Sequence, residues 1–408
     1  MARIREFKGL RPNKDLVNKV SVLPYDVVST KEARELARDN RLSFFHISKP
    51  EIDFPEDMYY QDPRVYAYGK KYLEDMINDG VMQQDAAPRL YLYTQILDGR
   101  EQTGLIACVS IDDYLDKTIK RHELTRKDKE NDRANHIDIL NANTGQVFLF
   151  FNDEGSKKSL FQKAMKITPV YDFISDDRVR QIVRIIDGED LIASFKRAFQ
   201  NDVLYIADGH HRAAAAVRVG QKRRNENLDY SRDKEFNWFM AVIFPHNQLK
   251  ILSYNRIVHD LNGLTKEGFI NKLSENFDVQ QNDKHAPGSV HEVCMYMDHA
   301  WYLLSPRFDP GNDPIDNLDV ALLQTYILGP ILAIHDPRTD RRIDFIGGED
   351  SIRQLVGRVD SGSSAVAFSL FPTSIEQLVR VADADKIMPP KSTWFIPKLQ
   401  SGLVIHLL

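Results

Sequence analysis

Val203-Leu204-Tyr205-Ile206-Ala207-Asp208-Gly209-His210-His211-Arg212-Ala213-Ala214-Ala215-Ala216 is the stretch whose reading decides the fold. Its first half is apolar and partly β-branched, the signature of a buried strand. The run breaks at Asp208-Gly209 and passes into alanines with strong helix propensity, for which Gly220 offers a C-terminal stop. A strand, a tight turn and a helix start leave backbone N–H groups pointing outward where the helix dipole favours negative charge. A carboxylate, a glycine, two imidazoles and a guanidinium sit in that turn, so it is the candidate active site. The plainer alternative makes Asp208 a helix cap and the histidines solvated surface groups.

Working outward, 408 residues at 42% hydrophobic content are enough for large cores and two or three lobes. The net charge of −5, with both signs interspersed, provides no global field that would draw the chain to nucleic acid. Cys108 and Cys294 are the only cysteines, too few for a disulfide framework or a thiolate metal site. They fit a reducing cytosol, and a cytoplasmic protein is expected. Arg3 and Arg5 are followed by no signal-like apolar segment, and no run is long enough for a membrane span.

Along the chain, Ser29 and Glu32 have capping-box spacing, and Asp62-Pro63 opens a second helix through Val65, Tyr68, Tyr72 and Met76. Residues 90–96 and 105–109 flank Asp98-Gly99 as a β-hairpin. The charged stretch Lys117 to Asp138 reads as a solvated helix face. Val147–Phe151 and Val179–Ile186 read as strands, with a helix from Asp190 to Phe199 between the second of these and the opening motif. Residues 239–244 and 251–254 read as a strand pair, and Lys222-Arg223-Arg224 as a basic loop. Met388 to Lys398 reads as irregular backbone able to close over an anion, or as packing for Trp394 and Phe395. Strands alternating with helices give a mixed α/β (α+β) fold. The expected division is an N-terminal region 1–88, a core 89–260 and a C-terminal α/β region 261–408.

Asp208-Gly209-His210-His211-Arg212 resembles the motif of the ParB and sulfiredoxin-like superfamily, which includes the free-serine kinases. Lys120-Arg121-His122-Glu123 is similar to the His-Glu loop upstream in those kinases. Over its length, through Leu23 to Ser29, His122-Glu123, Asp132-Arg133, Asp208 to Arg212 and Met388 to Lys398, the chain resembles the bacterial family called domain of unknown function 1015. The resemblance implies a ParB/sulfiredoxin-like nucleotide-binding core elaborated by N- and C-terminal α/β regions. It also implies a phosphotransferase using ATP or ADP and Mg²⁺.

In that expectation Glu123 is the general base on a serine hydroxyl. The catalytic group is completed by Asp208, which also holds Mg²⁺ directly or through water, and by His211 and Arg212, which stabilise charge. His122, Gly209, His210, Arg133 and Lys391 bind the nucleotide. Asp26, Arg256 and Lys398 are candidates for a supporting layer. The product is O-phosphoserine, although another small hydroxylated metabolite would suit the same groups, and a homodimer is left open. Sulfiredoxin chemistry is excluded because His210 stands where its cysteine is needed. Zinc is disfavoured because adjacent His210 and His211 do not share one helical face. The remaining alternative is a non-catalytic, ParB-like nucleotide-binding module using Lys222–Arg224 against DNA.

Overall fold

The computed structural model describes residues 2–227 and 231–408. The chain forms two compact units: Met1–Arg121 with Thr125–Leu249 and Pro397–Leu408, and His122–Leu124 with Lys250–Ile396. The first joins the segments expected as 1–88 and most of 89–260. The architecture is mixed α/β, as expected from the alternation of strands and helices.

In the first unit, nine strands among the described residues form one sheet. At its heart Leu204–Asp208 lies antiparallel to Val147–Phe151, and Val147–Phe151 lies parallel to Trp238–Pro245. All five residues of Val147–Phe151 are buried, which is why the segment reads as a continuous apolar run rather than an alternating one. Val147, Leu149, Phe151, Leu204 and Ile206 join Phe195 and Phe199 in the main core. On the other face Phe150 stacks on Tyr205 with ring centroids 5.1 Å apart. The Asp98-Gly99 hairpin forms as expected, pairing Leu97 with Arg100. Both turn residues have positive φ, 50° and 78°, as a two-residue hairpin loop of this kind requires. The capping box at Ser29 and the Pro63–Asn78 helix capped by Asp62 are also present.

Four expectations are corrected. The helix after the central turn runs from His210 to Glu226, straight through Gly220. A Cβ there would lie 2.5 Å from the Phe236 carbonyl oxygen and 2.6 Å from Ile111 Cδ1, so this glycine permits close packing rather than ending the helix. Residues 239–244 and 251–254 do not pair with each other. Trp238–Pro245 pairs with Arg100–Ser110, whereas Lys250–Leu252 pairs with Trp394–Ile396, making the latter a strand inside the stretch expected to be irregular. Lys222, Arg223 and Arg224 belong to the helix rather than a loop. Lys222 and Arg223 pair with Asp138, and Arg224 pairs with Asp112.

The fourth correction concerns the charged helix Lys127–Leu140, which buries Asp132, Arg133 and His136 instead of exposing a wholly solvated face. Asp132 accepts from Tyr66 Oη at 2.7 Å and from Arg133 Nε at 2.8 Å. Arg133 also donates to the Ser48 carbonyl and lies 4.1 Å from the centroid of the Tyr25 ring. His136 Nε2 sits 2.8 Å from the Ile47 carbonyl oxygen. Burial, reinforced by the Arg133 charge, pushes the His136 imidazole down to about 3.

That shift has a pH consequence. Unfolded, this imidazole takes a proton below about pH 6.5. Folded, it stays neutral until near pH 3, so its contribution is complete above pH 6.5 and is lost as pH falls. Between pH 6.5 and 5 the loss is about 2 kcal/mol. Hydrogen exchange in Val147–Phe151 at both pH values is expected to show it, with a smaller loss in His136→Gln. Equal losses in the two proteins would contradict this origin.

The second unit is built on a six-stranded sheet, Phe277–Gln281, Ala300–Pro306, Val293–Met297, Val366–Leu370, Tyr254–Val258 and Ile343–Gly347 in spatial order. Among the described residues no helix is long and apolar enough to cross a membrane.

Candidate active site

The central turn is shaped by Gly209, whose φ of 94° strongly favours glycine. It is the residue before the helix, and no side chain caps that helix start. The reading of Asp208 as a helix cap therefore does not describe this turn. Asp208 serves instead as an electrostatic centre. Its Oδ2 accepts from Lys398 Nζ at 2.9 Å, and its Oδ1 lies 3.7 Å from Arg212 Nη2. Burial works against the charge, but Lys398, Arg212 and His210 outweigh it and hold the carboxyl well below the usual carboxylate range.

Arg212 turns inward. It donates to the Gln146 carbonyl through Nη1, and its Nη2 lies 3.3 Å from Asp26 Oδ2. A Cβ at Gly209 would come within 3.1 Å of Arg212 Nε, so this glycine also makes room for the guanidinium. Asp26, Arg212, Asp208 and Lys398 thus form an alternating chain of acid and base within the first unit. His211 accepts from the Arg126 backbone N–H through Nε2 at 3.0 Å, which ties the helix start to the beginning of the charged helix. Arg133 and Arg212 line one cavity with Tyr25 and Ser48.

The sequence-derived candidates divide between the units. Asp208, Gly209, His210, His211, Arg212, Arg133, Asp26 and Lys398 belong to the first, and His122, Glu123, Lys391 and Arg256 to the second. His122 is buried and its carbonyl accepts from the Met388 N–H at 2.8 Å, while its Nε2 lies 3.4 Å from Thr393 Oγ1. Glu123 is half-buried and Lys391 exposed. Lys391 Nζ lies 5.6 Å from the Tyr254 ring centroid. Arg256 donates to the Pro390 carbonyl, and burial lowers its guanidinium to about 10.

Sequence reasoning gave no role to Ser48, Gln95 or Gln146. Gln95 Nε2 donates to the Lys398 carbonyl at 2.9 Å and so helps to place that lysine. No sequence pattern links Gln95 to Lys398 across 303 positions.

Mg²⁺ on Asp208 needs an ionised carboxylate, which is present. Yet Lys398 is already bonded to one oxygen and Arg212 faces the other. A divalent cation in direct contact would stand against both charges. The carboxylate fits a cation-paired brace, not a directly bound Mg²⁺.

Among solved structures the chain is similar to a free serine kinase in complex with AMP, with 14% identity and a TM-score of 0.36. The alignment covers 74% of this chain and 92% of that one. It is similar to SbnI with a C-terminal truncation from Staphylococcus aureus, at 10% identity and TM-score 0.38, covering 74% and 87%. A conserved hypothetical protein from Pyrococcus furiosus gives 13% identity and TM-score 0.34, covering 74% and 95%. At these TM-scores the likenesses carry no argument about mechanism. No curated protein matches the sequence. The family described as "Protein of unknown function (DUF1015)" matches residues 4–321, and the chain belongs to that family.

Proposed function

We propose that the protein is a nucleotide-dependent small-molecule kinase that phosphorylates a hydroxylated acceptor, with free L-serine favoured. The observation that carries this reading is the glycine-opened helix start at Asp208–Arg212 with the Lys398 ammonium bonded to Asp208. Uncapped helix starts receive phosphate oxygens well, because the backbone N–H groups and the dipole act together. In phosphoryl transfer the protein mainly positions groups and neutralises charge. ATP, or ADP, donates its terminal phosphoryl group. The bond from phosphorus to the departing nucleotide oxygen breaks as the acceptor hydroxyl oxygen bonds to phosphorus. Glu123 takes the hydroxyl proton, a role that rests on sequence resemblance. Asp208 holds the lysine and arginine charges at the turn, and Arg212 braces it from within.

Purified protein is to be incubated with Mg-nucleotide and a panel of hydroxylated metabolites, with mass spectrometry reading the products. Phosphoserine from the wild type, reduced at least about 100-fold in Glu123→Gln and in Asp208→Asn, is expected. Turnover that survives in Glu123→Gln would move the base elsewhere, with Asp26 the next to test. No phosphorylated product from any acceptor would sink the kinase reading.

A further inference from the structure

Within the first unit, a cavity of about 20 Å³ lies among Tyr25, Ser48, Arg133, His136, Thr144 and Arg212. That is room for one or two water-sized groups. Ser48 Oγ and Arg212 Nε, of two residues that line it, are buried with no hydrogen-bond partner among the described residues. Ser48 is 3% and Arg212 8% exposed. Buried donors left unbonded each cost free energy, so two beside one cavity call for a ligand that accepts.

The carboxylates nearby are already committed. Asp26 and Asp208 face Arg212, and Asp132 takes Tyr66 and Arg133. His136 Nε2 donates to the Ile47 carbonyl oxygen. Two guanidinium groups stand on the wall, each also facing an aspartate, and guanidinium geometry suits a planar carboxylate.

We propose that this cavity is a carboxylate subsite that takes the carboxyl end of a hydroxy acid or hydroxy amino acid. Identifying that molecule as the phosphoryl acceptor rests on the kinase reading above, whereas carboxylate binding does not. Ser48 and Arg212 supply the donors, and Arg212 links the subsite to the Gly209 turn.

Calorimetry on the full-length wild type and on Ser48→Ala tests this with L-serine, glycolate and 3-hydroxybutyrate, and with serinamide as the control that lacks a carboxylate. L-Serine is expected to bind at least about tenfold more tightly than serinamide, and Ser48→Ala to weaken it about tenfold through loss of one bond to a charged group. AMP binding is expected to be the same in both proteins. Equal binding of L-serine and serinamide, an unaffected Ser48→Ala, or no binding of any of the three carboxylates would overturn the subsite and leave the cavity to water. The same ligands in the transfer assay separate the two readings. Equal phosphorylation of serine and serinamide would keep the kinase and reject the subsite. Carboxylate-dependent binding without any transfer would keep the subsite and reject the kinase.

Discussion

Arg133→Met is expected to destabilise the first unit by about 3–5 kcal/mol, the range for removing one partner of a buried ion pair. The arginine is 8% and Asp132 3% exposed, so solvent cannot take over the abandoned charge. Among the described residues, Tyr66 Oη would still bond to the Asp132 carboxylate. The bond to the Ser48 carbonyl and the contact with Tyr25 would go as well. Converting the pair together, Asp132→Leu with Arg133→Met, should recover most of the loss, because it removes the stranded charge. Hydrogen exchange in Val147–Phe151 checks this in the unit concerned. A single variant as protected as the wild type would show that Asp132 finds another partner.

The second large effect concerns activity. Lys398→Met should lower phosphoryl transfer by about 10²-fold or more while leaving the fold intact, the scale expected when one prepositioned charge is removed from a transfer site. Lys398 Nζ is 2.9 Å from Asp208 Oδ2, and Gln95, in the same sheet as Asp208, holds the lysine backbone carbonyl. Without the ammonium, Asp208 loses the largest influence that favours its ionised form, and its carboxyl rises toward ordinary values. Lys398→Arg keeps the charge with a different shape and should retain part of the rate. Full activity in Lys398→Met, with unchanged circular dichroism, would remove this lysine from the chemistry.

The parts of this arrangement that could be read from the sequence are those encoded by neighbouring residues. An apolar run ending at Asp208-Gly209 and leading into four alanines specifies strand, turn and helix almost by itself. Asp98-Gly99 and Ser29 with Glu32 are equally local. Gly220 misled because a helix tolerates a glycine when a neighbour must come close, and the approach of Phe236 leaves no local signature. Residues 251–254 misled because strand propensity says nothing about partner choice: Ile251 and Leu252 pair more than 140 positions away with Phe395 and Trp394, and Tyr254 starts another strand that pairs with Gly347. Charge in the stretch from Lys127 to Arg133 suggested water. The burial of Asp132 and Arg133 becomes visible only when Tyr66, Ser48 and Tyr25 are folded around them. Lys398 meets Asp208 across 190 positions. A lone lysine in a C-terminal segment announces nothing of this contact.

The central claim is that the turn at Asp208–Arg212 serves phosphoryl transfer to a small hydroxyl. Phosphorus NMR of the wild-type protein with Mg-ATP and L-serine, and in parallel with Mg-ADP, tests it most directly. A phosphomonoester resonance that grows as the terminal phosphate signal of one nucleotide falls, and does so only with acceptor present, is the predicted result. Nucleotide that stays intact in both mixtures, or loses phosphate only to water at a rate indifferent to serine, would contradict the account.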